Sequence, residues 1–303
     1  MMFALLELVF KSFTGCVLLF MLTVCTTSSS RQPEQLIHSP RSVNLTDTFI
    51  QQKTDTVFTL LYRGSFSVPV IIKYPSHSFN KNILLLHGYN LPSIQWCEKT
   101  SFCKQALDSG YTLIIPDFGK TTYQYKIYTE TIQKYRIYPT RQWMLDTLIP
   151  HLQKNFNLLL PDTASFVTGI STGGRGAVLL GADRPEIFRA LASLSGDFDQ
   201  TKMAGEPIYT GYYGPYQKFK SRWTNEDNPM QMISTWTIPC FLAHGKIDKV
   251  SPFQQTSVFS QTLKKKRPKI QQAVFFPAAN GHDYVFWSLC TAPMLSFFYR
   301  VSR

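Results

Sequence analysis

Short apolar runs rich in β-branched residues recur along the chain at 57–62, 68–73, 83–86, 112–115, 165–170, 190–194, 240–243 and 273–276. Stretches of helical periodicity at 143–155, 173–182, 253–265 and 284–298 separate the later ones. A strand buried on both faces reads as a continuous apolar run, because helices cover both sides of its sheet. Alternation of such runs with helices predicts an α/β fold, a mostly parallel central sheet with helices on both faces. Only Arg63-Gly64-Ser65 separates the first two runs, which are therefore expected to form an antiparallel hairpin at the sheet edge. In 143–155, Leu145, Leu148, Ile149 and Leu152 mark one helical face, and Pro150 is a candidate kink.

The 303 residues suffice for a large core, and a composition 44% hydrophobic and only 17% charged excludes a mostly disordered chain. Residues 1–30 read as an export segment, a signal peptide or a retained N-terminal anchor. Lys11 precedes an apolar stretch of signal-peptide length, and small polar residues follow it. Leu22-Thr23-Val24-Cys25 faintly resembles a lipobox, in which Cys25 would carry lipid. This reading places the protein in the periplasm, outside the cell, or peripherally on a membrane through its N-terminus. Residues 31–55 form a polar lead-in, and 56–303 are expected to be a single domain. Within it, 197–236 breaks the rhythm with Gly205, Gly211 and Gly214 among Tyr209, Tyr212, Tyr213, Tyr216 and Trp223, as expected of a substrate-facing cap.

Two of the six cysteines, Cys16 and Cys25, fall in the leader. Cys97 and Cys103 are close enough in sequence to close a small loop, whereas Cys240 and Cys290 can pair only if the fold joins them. Sequence leaves open all three connectivities, and equally four buried thiols. Neither C-x-x-C nor a Cys/His cluster occurs, so no metal and no organic cofactor is expected. The formal net charge is +12, with its densest run at Lys264, Lys265, Lys266, Arg267 and Lys269. That run reads as a solvated helix end rather than a polyanion site, and without a zinc-finger or RNA-binding motif the charge does not point to nucleic acid.

The densest chemical signal is Gly169-Ile170-Ser171-Thr172-Gly173, with an apolar strand before it and a helix after it. A serine at such a junction sits on a turn too tight for neighbouring Cβ atoms, and its Oγ is lifted clear of the sheet. Ser171 is the candidate nucleophile, and the Thr172 N–H a candidate oxyanion donor. A serine hydroxyl needs a base. Of His38, His77, His87, His151, His244 and His282, only His282 lies on the loop after the last strand, where chain order places the base. The orienting carboxylate should fall between the two in sequence. Asp248, after strand 240–243, fits best; Asp197 and Asp199 are rivals, and Asp283 adjoins the histidine. The second oxyanion donor is assigned to the N–H of Tyr89, after the strand that ends in His87-Gly88, with His87 a structural residue of the turn.

Across roughly 56–300 the chain resembles the esterase D-type branch of the α/β-hydrolases, a group that includes S-formylglutathione hydrolases, feruloyl and acetylxylan esterases, siderophore esterases and mycolyltransferases. The resemblance rests on Leu85-Leu86-His87-Gly88, Leu148-Ile149-Pro150, Gly169 through Ala177, Arg184-Pro185-Glu186-Ile187-Phe188, Ser193 through Asp199, and Gly281 through Trp287. It implies Ser171 as nucleophile, His282 as base, Asp248 as acid, and Tyr89 and Thr172 as oxyanion donors. Thr172 stands where the family has a larger apolar residue, and His244 is unusual for it. The expectation is an exported serine esterase acting on an acylated carbohydrate or another extracytoplasmic ester. Acyl transfer to an alcohol through the same triad, or a non-catalytic binding role, are the alternatives.

Overall fold

The computed structural model describes residues 54–64, 66–78, 80–136 and 138–303. The export segment and all of the polar lead-in but its last two residues lie outside this range, as do Cys16, Cys25 and His38.

Eight strands build one sheet: β1 (Thr56–Tyr62), β2 (Phe66–Lys73), β3 (Lys81–Leu86), β4 (Tyr111–Pro116), β5 (Ala164–Ile170), β6 (Phe188–Leu194), β7 (Cys240–Ala243) and β8 (Gln272–Phe275). Their order is β1-β2-β4-β3-β5-β6-β7-β8. β2 runs antiparallel to both neighbours, and every other pairing is parallel. Each expected strand is present within two residues of its predicted ends, and β1–β2 is the edge hairpin. β1 alternates half-buried and exposed positions, as an edge strand should, whereas all six residues of β4 are buried.

The strand pleat feeds two separate cores. Leu84 and Leu86 of β3 with Val167 of β5 point into one; Ile83, Leu85, Phe166 and Ile170 point into the other. The first core is closed by Ile149 and Leu152, Ala177 and Val178, and Phe259 and Leu263, from three helices on that face. Phe102, Phe286, Phe297 and Phe298 close the second. Each fully buried apolar side chain contributes about 1.5–3 kcal/mol, so two helical layers over a parallel sheet is the arrangement this pattern stabilises.

Two predicted helices are interrupted, each beside a proline. Over 143–155 the backbone runs from an α-turn (Thr140–Trp143) through a π-helical stretch (Met144–Leu148) into an α-helix (Ile149–Phe156). Pro150 has no N–H for the carbonyl four residues back, and the ladder is re-spaced just before it. The expected helix at 284–298 is two, Tyr284–Leu289 and Thr291–Val301. Pro293 cannot bond to the Leu289 carbonyl and sits instead in the first turn of the second helix. The short helices Gln95–Lys99 and Phe102–Asp108 were not legible from periodicity, and the Cys97–Cys103 disulfide joins them. Cys240 and Cys290 are buried free thiols, and burial pushes both up from the ordinary thiol range. Lys264, Lys265 and Lys266 are exposed in the last turn of helix Phe253–Lys266, where cations favour the helix dipole. No helix among the described residues is long and apolar enough to cross a membrane.

The stretch 197–236 folds into short helical pieces, among them Gln200–Met203, Pro207–Tyr213 and Lys220–Trp223. They are held by a third apolar cluster of Tyr135, Met203, Tyr209, Tyr212, Tyr213 and Trp223. The tyrosine and tryptophan pattern thus packs as a small core of its own, beside the C-terminal ends of β5 and β6.

Candidate active site

Ser171 occupies the single residue between β5 and helix Thr172–Asp183, at φ 56° and ψ −127°. A serine rarely adopts this conformation, and it persists only where the surroundings impose it. A Cβ on Gly169 would land on the Gly173 carbonyl, and one on Gly173 on the carbonyl of Leu86. The Ser171 N–H donates to the Leu194 carbonyl at 2.8 Å, tying the turn to the end of β6.

Ser171 Oγ donates to His282 Nε2 at 2.9 Å, and His282 Nδ1 donates to Asp248 Oδ2 at 2.7 Å. The three side chains follow β5, β7 and β8 at one edge of the sheet, which brings together residues 111 positions apart. The side chain of Asp248 is fully buried. Its Oδ1 accepts from the N–H groups of Val250 (2.8 Å) and Ser251 (2.9 Å). Burial alone would raise its pKa; hydrogen bonds from His244 and His282 and from the Ser251 backbone override this and hold the carboxyl well below the usual range. The indole edge of Trp287 packs on the His282 ring, at 5.3 Å between centroids.

His244, which sequence reasoning set aside, is buried beneath the carboxylate. Its Nε2 faces two acceptors, Ser251 O at 3.0 Å and Asp248 Oδ2 at 3.2 Å, and so carries the proton. Nδ1 then accepts from the Thr256 hydroxyl at 2.7 Å. Asp248 Oδ2 therefore receives a donor from each of two histidines.

Gly88 brings the loop after β3 against the nucleophile: a Cβ there would lie 3.1 Å from that of Ser171. The N–H groups of Tyr89 and Thr172 have no acceptor among the described residues. Two free donors thus flank the serine, as an oxyanion site requires.

The remaining candidates sit elsewhere. His87 is buried and structural: its Nδ1 donates to Gly88 O (2.7 Å), its Nε2 accepts from Phe118 N–H (2.8 Å), and burial lowers its pKa. His77 is exposed, and His151 stacks with Phe58 on a helix surface. Asp199 caps the turn Gln200–Met203, and Asp283 caps helix Tyr284–Leu289. Asp197 does face the site, although it does not touch His282. It lines a cleft of about 290 Å³ together with Ser171, Met203, Ile208, Tyr209 and Val250. Beneath it lies Arg175, fully buried one turn after the nucleophile, with Nη1 3.6 Å from Asp197 Oδ2. Arg175 lies within the Gly169–Ala177 segment on which the resemblance rests, but sequence reading assigned it no role. No three His, Cys, Asp or Glu side chains converge as metal ligands among the described residues.

Sheet order, the strained serine turn and the position of the hydrogen-bonded Ser-His-Asp side chains give this chain the α/β-hydrolase fold. Over residues 147–286, which contain Ser171, Asp248 and His282, its sequence matches the prolyl oligopeptidase family. In three dimensions it is similar to FphF, the fluorophosphonate-binding serine hydrolase F of Staphylococcus aureus. The two share 16% identity over 81% of this chain and 99% of that one, with a TM-score of 0.65. An S-formylglutathione hydrolase from Agrobacterium tumefaciens is similar at 15% identity, over 80% of this chain and 94% of its own, with a TM-score of 0.63. The acylaminoacyl peptidase of Pyrococcus horikoshii is similar at 14% identity over 82% of this chain but 42% of its own, with a TM-score of 0.61. At these identities the likeness is one of fold, and it spans both esterases and peptidases. No curated protein matches the chain in sequence.

Proposed function

We propose that this protein is a serine esterase working through an acyl-enzyme on Ser171. The observation that carries the reading is the continuous relay from Ser171 Oγ through His282 to the buried Asp248. Ser171 Oγ attacks the ester carbonyl as its proton passes to His282 Nε2. Asp248 holds the imidazolium through Nδ1–H. The N–H groups of Tyr89 and Thr172 take the negative charge that develops on the carbonyl oxygen. As the tetrahedral intermediate collapses, His282 returns the proton to the departing alkoxide. A water deprotonated by His282 then releases the acid and restores Ser171.

Ester rather than peptide cleavage is supported by the neighbours matched over nearly their whole length, one a fluorophosphonate-binding serine hydrolase and one an S-formylglutathione hydrolase. The prolyl oligopeptidase match favours a second reading, peptide-bond cleavage by the same relay. Action outside the cytoplasm, on an acylated carbohydrate or similar ester, rests on the apolar segment within 1–30 and on the Cys97–Cys103 disulfide, since such bonds persist in oxidising compartments.

The test is labelling of the full chain with a fluorophosphonate probe, followed by mass mapping and a panel of acyl esters and peptide anilides. The expected result is one adduct on Ser171, absent in His282→Ala, and turnover of esters. Turnover of anilides at a comparable rate would favour the peptidase reading. A folded protein that neither labels nor turns over either class would overturn catalysis by this relay.

A further inference from the structure

The cleft holds a second carboxylate that the relay does not use. Asp197 stands on the loop after β6, is 4% exposed, and lines the cleft beside Ser171. Its Oδ2 accepts from the Tyr209 hydroxyl and forms an ion pair with Arg175 Nη1 at 3.6 Å. Its Oδ1 finds no hydrogen-bond partner among the described residues. Oδ1 is not sealed from solvent, so a donor placed in the cleft can reach it.

The surroundings fix the position of this group. Tyr209 belongs to helix Pro207–Tyr213 of the 197–236 stretch, and Arg175 to the helix that begins after the nucleophile. Arg175 Nη2 also donates to the Asp227 carbonyl and, at 3.1 Å, approaches the Tyr213 hydroxyl, so the guanidinium cannot turn toward Oδ1. Behind it, Arg175 pairs with Asp197 and also donates to the Asp227 carbonyl, while Arg141 pairs with Asp227 and Asp183. Glu206 adds a further carboxylate to the cleft wall, which has no Lys or Arg among its lining residues. On a chain of net charge +12, this cleft is locally acidic.

We infer that Asp197 Oδ1 is a substrate-binding acceptor, and that the preferred ester carries a hydrogen-bond donor, a hydroxyl or an ammonium group, close to its carbonyl. The inference rests on the esterase reading and names the substrate class for that site. It also gives the buried Arg175 a role: with Tyr209 it holds Oδ2, so that Oδ1 alone faces the ligand. Anionic esters are disfavoured in the same cleft. A hydrogen bond to a charged group discriminates between otherwise matched ligands by about tenfold or more.

The experiment compares kcat/KM, by titration of released acid, within two matched series on the full chain. One varies the acyl side: methyl propionate, methyl lactate and alanine methyl ester. The other varies the alcohol side: propyl acetate and 2-hydroxyethyl acetate. Fluorophosphonate labelling of Ser171 is followed on the same preparations. The expected result is a preference of about tenfold or more for a donor-bearing member in at least one series. Asp197→Ala should remove that preference. Asp197→Asn should remove it for ammonium while keeping part of it for hydroxyl, which separates the two donor types. A labelled parent enzyme with no preference in either series overturns the inference without recourse to any variant. So does a preference that survives both substitutions, which would move recognition to Glu206. Absence of labelling and turnover in the parent is a different failure, that of the esterase reading itself.

Discussion

At the scale of single residues, the site is built from side chains whose hydrogen-bonding options are almost exhausted. Asp248 has both oxygens occupied: two backbone donors on Oδ1, and His282 and His244 on Oδ2. The His282 tautomer is thereby fixed with its proton on Nδ1, leaving Nε2 free for the serine proton. Asp248→Asn presents an amide where the imidazole needs an acceptor, and kcat should fall about 10⁴-fold with KM little changed, as steady-state kinetics on any turned-over ester will show. The same carboxylate links stability to pH. Its folded pKa lies below its unfolded value of about 3.9, so its ionised form stabilises the fold above that pH and the contribution is lost as pH falls through the folded pKa. Parent and Asp248→Asn should therefore differ most in thermal midpoint near neutrality and converge as pH drops below about 4. A gap that widened on acidification would contradict the assignment. His244→Phe deletes one donor to Oδ2 while His282 and the backbone donors remain. Its kcat should drop about 10- to 100-fold, well short of the loss in Asp248→Asn.

Elements decide where those residues can meet. Parallel strands present their C-terminal ends along one edge, and Ser171, Asp248 and His282 each follow a strand there. Tyr89 follows β3, the strand next to β5, so the loop bearing its free N–H is delivered to the same edge. The two short helices at Gln95–Lys99 and Phe102–Asp108 are held together locally, by stacking of Trp96 on Phe102 at 5.0 Å and by the Cys97–Cys103 bond. The disulfide closes a loop with a sequence separation of only 6 residues, and the chain-entropy relation gives it about 2 kcal/mol. Cys97→Ser/Cys103→Ser should lose about that much in denaturant unfolding. Ester turnover should persist, because neither cysteine touches the relay.

For the whole molecule, one twisted sheet separates two cores, and the strands in its middle serve both. Leu84 in β3, the strand that leads to the Tyr89 loop, is fully buried in the core shared by three helices. Leu84→Ala should cost about 2–5 kcal/mol of unfolding free energy, read from the denaturant midpoint at constant m-value. A loss below 1 kcal/mol would mean that this core relaxes around the cavity. The acidic lining of the cleft, Asp197 and Glu206 on a strongly basic chain, is likewise a property of the whole, since the fold sets this part of the 197–236 stretch against Ser171.

Much of this was legible in the chain. Strand positions followed from continuous apolar runs, since a doubly covered strand has no polar face to hide. Ser171 and its flanking glycines were readable because the tight turn tolerates few other residues. Asp248 and His282 were singled out by chain order and by their places on loops after predicted strands. The places where pattern reading fell short share a cause. Periodicity does not register where proline interrupts a hydrogen-bond ladder, as at Pro150 and Pro293, and short helices such as Gln95–Lys99 bury too few residues to show a period. Residues that act through distant partners carry no local mark: His244 looked incidental until it lay under Asp248, Asp197 looked like a rival acid, and Arg175 like nothing in particular. By itself, the sequence determined the sheet, the nucleophile turn and the type of each reacting group, because these depend on neighbours along the chain. Only the tertiary structure decided which histidine shares the carboxylate, which cysteines join and which further carboxylate lines the cleft. Those outcomes depend on distances between segments as much as 111 residues apart, fixed when the two cores close around the sheet.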